Sequence, residues 1–292
     1  MSTITIAGFK FFDWAGGKKF LIIESDRLRE CIDYCRREHI VSVAVSPYHG
    51  YLLDDVDFLS GCPHVRAVYL QRELLDYCGL YSLPNLQWLS AIFRHSIDFS
   101  KLPSIQVIST DWNPSTHKAL ISSCSLAKLW LRGYKPQSSD LSEIRALGKL
   151  VDLHLLLSPI KSVSGIESLS RLKKLGLSYC PRLRDITSLL LLENSLQELE
   201  IDHCKQIQNL DQIRALKNLR KAILADSGVL PSLKFIEKMP RLEFLSFVGM
   251  NVLDGDMTPC LKLKYAGFLP KRHYSHTSQE IARMKRTKGI GR

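Results

Sequence analysis

Apolar residues recur along this chain with a fixed internal spacing, seen most plainly as Leu172, Leu175 and Leu177 and again 24 residues later as Leu196, Leu199 and Ile201. The same offsets run from Ile40, Val43 and Val45 to Leu263, Ala266 and Phe268, eleven copies whose first positions lie 19 to 25 residues apart. The second and third apolar positions are two residues apart, so both point to one side of a short strand while their neighbours point to the other. Further apolar residues follow at helix-like or looser spacing, as in Ile207, Leu210, Ile213 and Leu216. Neither the strand nor its return segment can bury an apolar side alone, and stacking of successive copies supplies the core. The pattern predicts one elongated array over residues 40–268.

Residues 1–39 and 269–292 fall outside the register. Thr3 to Phe12 and Lys18 to Ile23 read as a hairpin around Asp13 to Gly17, and Ser25 or Asp26 can start a helix through Leu28, Cys31, Ile32 and Cys35 to about His39. This unit is expected to cover the first strand as an N-terminal cap. At the other end, Thr277 and Glu280 form a capping box for a short helix reaching about Lys285.

The period and the spacing resemble leucine-rich repeats. That resemblance implies an α/β solenoid, a right-handed arc with parallel strands on its concave face and short helices or turns on its convex face. It also implies that Cys180, Cys204 and Asn113, each three residues past the third apolar position, bond neighbouring backbone. The segment FLPKRHYSH, Phe268 to His276, resembles the end of some bacterial leucine-rich-repeat proteins that act as immunity proteins against toxins.

Net charge is +11, but residues 271–292 carry +6 of it, so the repeats are near balance. The basic tail is therefore weak support for a nucleic-acid partner, which ranks last. No apolar run is long enough to span a bilayer, so no membrane association is expected. The N-terminus lacks the pattern of a signal peptide, and the eight cysteines are expected to be reduced, mostly buried thiols of a cytoplasmic protein.

Candidate partner-binding residues are those whose strand position turns them away from the core. Tyr69, Trp88 and Trp130 hold such positions and Trp112 lies just past its strand, which makes an aromatic group that either fills the concavity or anchors a partner. In later copies His154, Tyr179, Glu198, Glu200, Asp202, His203, Asp226 and Phe244 occupy or adjoin the same face, with Lys128, Arg132, Lys174 and Lys221 among them. Glu198, Glu200 and Asp202 alternate along one strand and predict a local acidic row suited to a basic partner.

No G-x-S-x-G, H-E-x-x-H, C-x-x-C or phosphate-loop motif occurs. No catalytic residues, cofactor or metal are therefore expected, and the chain reads as a non-enzymatic protein-binding module, a monomer in a one-to-one complex. The family precedent is ribonuclease inhibitor, and the most specific form is an immunity protein neutralising a toxin; a scaffold or substrate-recognition subunit is the alternative.

Overall fold

The structure is a computed structural model of the chain and describes residues 2–14, 17–93, 95, 97–114, 120–121 and 125–287, with backbone alone at 14 and 287. Gly16, Cys124, Lys288 and Arg292 lie outside the described residues. Two compact units divide within one strand, the first ending at Trp130 and the second beginning at Leu131.

The first unit opens with β1 (Ser2–Ile6), β2 (Phe9–Trp14) and β3 (Lys18–Ile23), joined antiparallel in that order. The apolar pattern suggests one strand from Thr3 to Phe12, but the chain reverses at Ala7 and Gly8, both with positive φ (49° and 82°). Such a pair of left-handed residues closes a tight hairpin whose twist matches its strands. Helix α1 (Leu28–Arg37) buries Cys31, Tyr34 and Cys35, and Tyr34 stacks on Phe9 at 4.0 Å. Then follow β4 (Ser42–Val45), β5 (Ala67–Leu70), β6 (Trp88–Ser90) and β7 (Val107–Asp111), parallel and in sequence order after β3.

β8 (Lys128–Arg132) contains the division between the units. The second unit continues with β9 (Asp152–Leu156), β10 (Lys174–Ser178), β11 (Glu198–Asp202) and β12 (Lys221–Ala225). After the two-residue β13 (Val229–Leu230) come β14 (Phe244–Ser246), β15 (Asn251–Val252), β16 (Tyr265–Gly267) and helix α2 (Ser278–Thr287). The registers are fixed by the apolar pattern: Leu153, Leu175, Leu199, Ala222, Leu245 and Ala266 pair side by side across the sheet. With β4 to β12, β14 and β16, the described residues contain eleven strands of the array, one for each sequence copy. The return segments are short 3₁₀ turns, such as Thr187–Leu192 and Leu210–Ala215, whose Leu189, Leu192, Leu210 and Ile213 are buried.

Two recurrent devices order the copies, the first by joining each to the next. Shortly after β8, β9, β10, β11, β12 and β14 one residue adopts a left-handed backbone: Gly133, Leu157, Tyr179, His203, Asp226 and Gly249. Five of these amides, from Gly133 to Asp226, donate to a carbonyl of the next copy at 2.7 to 3.0 Å, from Gly133 to Leu156 through to Asp226 to Val248. The following residue points inward and is polar in the middle of the unit. Ser158 Oγ donates to Tyr134 O (2.6 Å), Cys204 Sγ to Leu177 O (3.3 Å), and Ser227 Oγ to Ala225 O (2.6 Å), while the Cys204 amide donates to Ser227 Oγ. The Cys180 thiol, hydrogen-bonded to Cys204 and buried, is pushed far above its ordinary pKa and stays protonated. Asn113 does the equivalent work in the first unit, donating to Phe93 O at 3.1 Å. Seven described cysteines are free thiols and six of them are buried, Cys78 being exposed.

The second device opens the return turns. Asp76, Asp98, Asp185 and Asp256 each accept the amide hydrogen of the residue two further on, at 2.7 to 3.0 Å. Side-chain and backbone hydrogen bonds from Cys78, Ser100, Thr187 and Thr258 hold these four carboxyls below their ordinary pKa.

A group with a depressed folded pKa adds stability that is complete above the unfolded value, about 3.9 for aspartate, and is lost as pH falls through the folded value. The melting temperature is therefore expected to fall steeply below about pH 4, and Asp185→Asn to remove part of that dependence; a flat profile down to pH 2 would contradict the turn chemistry. Leu175, 1 % exposed, tests the core. Leu175→Asp puts an unpaired carboxylate there at a cost of several kcal/mol against a total of about 5 to 15, and circular dichroism should show an unfolded or grossly destabilised chain.

Candidate functional site

Strand alternation sends half of each strand's side chains to the face opposite the core, and the register lines them up in lanes. In the second unit the first lane reads Asp152, Lys174, Glu198, Lys221, Phe244 and Tyr265, and the second His154, Gly176, Glu200, Ile223, Ser246 and Gly267. Charges alternate along the first lane, and Lys174 Nζ lies 2.7 Å from Glu198 Oε1. Its aromatic end is a stacked pair, Phe244 and Tyr265, with centroids 4.3 Å apart and planes at 11°, and Lys221 Nζ lies 5.4 Å from the Phe244 centroid. In the second lane Gly176 leaves the space that the His154 ring occupies, since a β-carbon there would stand 2.1 Å from Nδ1. His154 Nε2 in turn lies 3.2 Å from Asp152 Oδ1. Beside it is a notch of about 40 Å³ lined by Lys174, Glu198, Glu200, Lys221 and Ile223, large enough for the tip of a side chain.

The left-handed residues add a further row at the strand ends. Tyr179 and His203 stack at 4.4 Å with planes at 12°. His203 is held from both sides, Nδ1 at 2.7 Å from Asp202 Oδ1 and Nε2 at 3.9 Å from Asp226 Oδ2. Asp202, His203 and Asp226 offer ligand atoms within 4.8 Å of one another, the one such trio found among the described residues. Both imidazole nitrogens already face carboxylates, however, so the geometry orients the ring against Tyr179.

The predicted acidic row therefore exists as a strand face, but two of its three carboxylates are engaged internally: Glu198 pairs with Lys174, and Asp202 lies 2.7 Å from His203 Nδ1. Glu200 carries no hydrogen bond or ion pair among the described residues. Sequence reasoning did not find Tyr265 as a partner for Phe244, nor Gly176 as the seat of His154. Both follow from cross-strand register, which only the aligned copies reveal.

In the first unit the aromatic positions are partly occupied by the molecule itself. Tyr69 and Trp88 pack on a buried cluster of Phe12, Phe20, Ile22, Ala44 and Ala67. Phe20 lies 5.1 Å from Trp88 and 6.4 Å from Tyr69, and Lys18 Nζ sits 5.2 Å from the Trp88 ring. Trp112, after β7, and Trp130, at the centre of β8, are half-buried, while Lys128 and Arg132 of that strand are exposed.

No protein-family model matches the chain, and no curated protein matches it. Solved structures do. A leucine-rich-repeat protein of Leptospira interrogans aligns over 88 % of this chain and 67 % of its own, with 21 % identity and a TM-score of 0.60. An internalin, InlF, of Listeria monocytogenes aligns over 81 % of this chain and 78 % of its own at 13 % identity, TM-score 0.53. TLR13, solved in complex with ssRNA13, aligns over 88 % of this chain but 43 % of its own at 15 % identity, TM-score 0.54. The fold is that of leucine-rich repeats. The inward ladder of Ser158, Cys180, Cys204 and Ser227 is thus the polar ladder that the sequence resemblance implies for Cys180 and Cys204, and the leucine-rich-repeat register assigns every outward lane described above.

The motif FLPKRHYSH closes the last leucine-rich repeat. His273 Nε2 bonds Val252 O (2.9 Å), Tyr274 Oη accepts from the Val252 amide (3.1 Å), and the Ser275 amide donates to Gly255 O (2.8 Å). Phe268 stacks on Phe247 at 4.9 Å. Phe268, His273, Tyr274 and Ser275 of the motif thus hold this segment to the last repeat.

Gly176→Val is expected to overpack against His154 and cost about 1 to 3 kcal/mol. Adding His154→Ala should recover most of that loss in a double-mutant cycle by urea unfolding; additive losses would mean that the imidazole does not occupy the glycine's space.

Proposed function

We propose that the chain is a non-catalytic binding module that engages another protein through the outward strand face of its second unit. The observation that carries this reading is the pair of stacked ring systems, Tyr179 on His203 and Phe244 on Tyr265, with Tyr179 and Tyr265 exposed, on the face that also bears the unpartnered Glu200. Rings held by stacking lose little entropy on binding, and aromatic anchors dominate interface energetics. A carboxylate with no partner of its own selects a basic side chain on the opposing surface. Charged groups on this face are spread along lanes and matched in pairs, where catalysis would bring them together in a pocket.

The specific form of this reading is a stoichiometric inhibitor, an immunity protein that neutralises a basic toxin. Its support is the likeness of Phe268 to His276 to the ends of such proteins and the ability of a free-standing repeat array to act by binding alone.

Co-purification from the native cell, followed by kinetic binding measurements, tests the proposal. Tyr179→Ala and Tyr265→Ala are each expected to cost about 2 kcal/mol or more, chiefly through faster dissociation. Glu200→Lys should slow association and weaken its salt dependence. If the partner is a toxin, the same variants should lose protection in cells expressing both proteins. Unchanged affinity in all three folded variants would sink this face as the site. A loss confined to Trp88→Ala would move it to the first unit.

A further inference from the structure

Lys285 is the exception to the way this molecule treats buried charge. Glu24, 8 % exposed, has Lys10 Nζ at 2.7 Å, and Asp152, 6 % exposed, has His154 at 3.2 Å. Lys285, also 6 % exposed, has no hydrogen-bond or ion-pair partner among the described residues. Burial lowers its pKa, and the nearby Cys260 thiol, itself pushed up to about 12 by burial, is neutral and supplies no counter-charge. A lysine side chain this well covered, with no opposite charge beside it, is costly, and an apolar side chain of similar length would fill the space without that cost.

Lys285 lines a cleft of about 480 Å³ between β16 and α2, entirely within the second unit. Two more cations, Lys264 and Arg286, stand on its walls, and Lys264 is already paired with Glu243 at 3.1 Å. The rest of the lining includes polar Ser278 and Gln279, apolar Val248, Phe268 and Ile281, and Tyr265 of the strand face. The capping box keeps Glu280 engaged with Thr277, with Oε2 accepting the Thr277 amide hydrogen at 2.7 Å, so this carboxylate does not serve Lys285. A cleft in the size range of small-molecule sites, apolar along one wall and with an unmatched cation on a largely covered side chain, fits an amphiphilic anion. From this geometry we infer that the cleft binds a small organic carboxylate, its head group between Lys285 and Arg286 and its apolar body against Val248, Phe268 and Ile281. Arg286 adds the planar fork that grips a carboxylate with two parallel hydrogen bonds. This inference does not depend on the strand-face reading.

The test is titration calorimetry and thermal shift on the full chain with octanoate as probe, against octan-1-ol, octylammonium and acetate. Octanoate should bind one-to-one and raise the melting temperature; the alcohol and acetate should each bind at least about tenfold more weakly, and octylammonium not at all. Lys285→Met and Lys285→Gln, each checked for folding by circular dichroism, should lose at least about tenfold in octanoate affinity, whereas Lys285→Arg should retain most of it. Failure of octanoate to bind the unaltered chain at millimolar concentration would overturn the inference. So would equal binding of octanol, or undiminished binding by either folded neutral variant.

Discussion

Each copy in this chain has a strand of only three to five residues in the array, too short to satisfy its own backbone or to bury its own leucines. Everything else depends on lateral pairing of that strand with the next. The pairing fixes the depth of Leu175 and Leu199, because a slip of one residue would turn each inward side chain to water. It also explains why so many residues accept a left-handed backbone. Leu157, Tyr179 and His203 carry side chains that disfavour positive φ, yet each gains an amide hydrogen bond to the neighbouring copy that continues the ladder past the end of the strand. The local strain persists because both neighbours enforce it.

Polar groups placed inside the stack do comparable work where carbonyls would otherwise be stranded. Two cysteines flanked by two serines make up the inward ladder, and both residue types are small enough to sit between successive copies. The thiols of Cys180 and Cys204 donate weakly but fill space as apolar groups do, whereas Ser158 and Ser227 make the shorter bonds. Asp76, Asp98, Asp185 and Asp256 perform a matching task at the return turns of their copies, supplying an acceptor for an amide that the 3₁₀ turn leaves without a partner.

Most of the fold was legible in the sequence, since a period-two pair of leucines every 19 to 25 residues admits one stacking register. The reversal at Ala7 was not, because alanine gives no signal of a left-handed turn and the flanking residues read as one continuous strand. The outward positions of His154, Glu198, Glu200 and Phe244 could be assigned by alternation alone. What alternation cannot give is who stands beside whom. Tyr179 and His203 are 24 residues apart and meet only because both sit on left-handed backbone at the same rung. Phe12 and Phe20 reach Tyr69 and Trp88 because the hairpin is paired onto β4, a tertiary fact without a local signature. Lys285 was counted with the charged tail, since composition cannot distinguish a buried lysine from a solvated one.

The rung spacing itself sets a metric for anything that lies across the face. Side chains in one lane, such as Lys174, Glu198 and Lys221, repeat at the separation of adjacent strands, about 4.8 Å. An extended peptide laid across the rungs presents same-side residues about 6.7 Å apart, and loses step within two of them. A straight α-helix advances about 5.4 Å per turn, a mismatch of about 0.6 Å per rung against the strand separation. Such a helix keeps one residue per turn facing one lane position for about four rungs before the offset reaches half a spacing. From Lys174 to Tyr265 the first lane is five rungs long, so the face is graduated for a helix of four turns more closely than for a strand of any length.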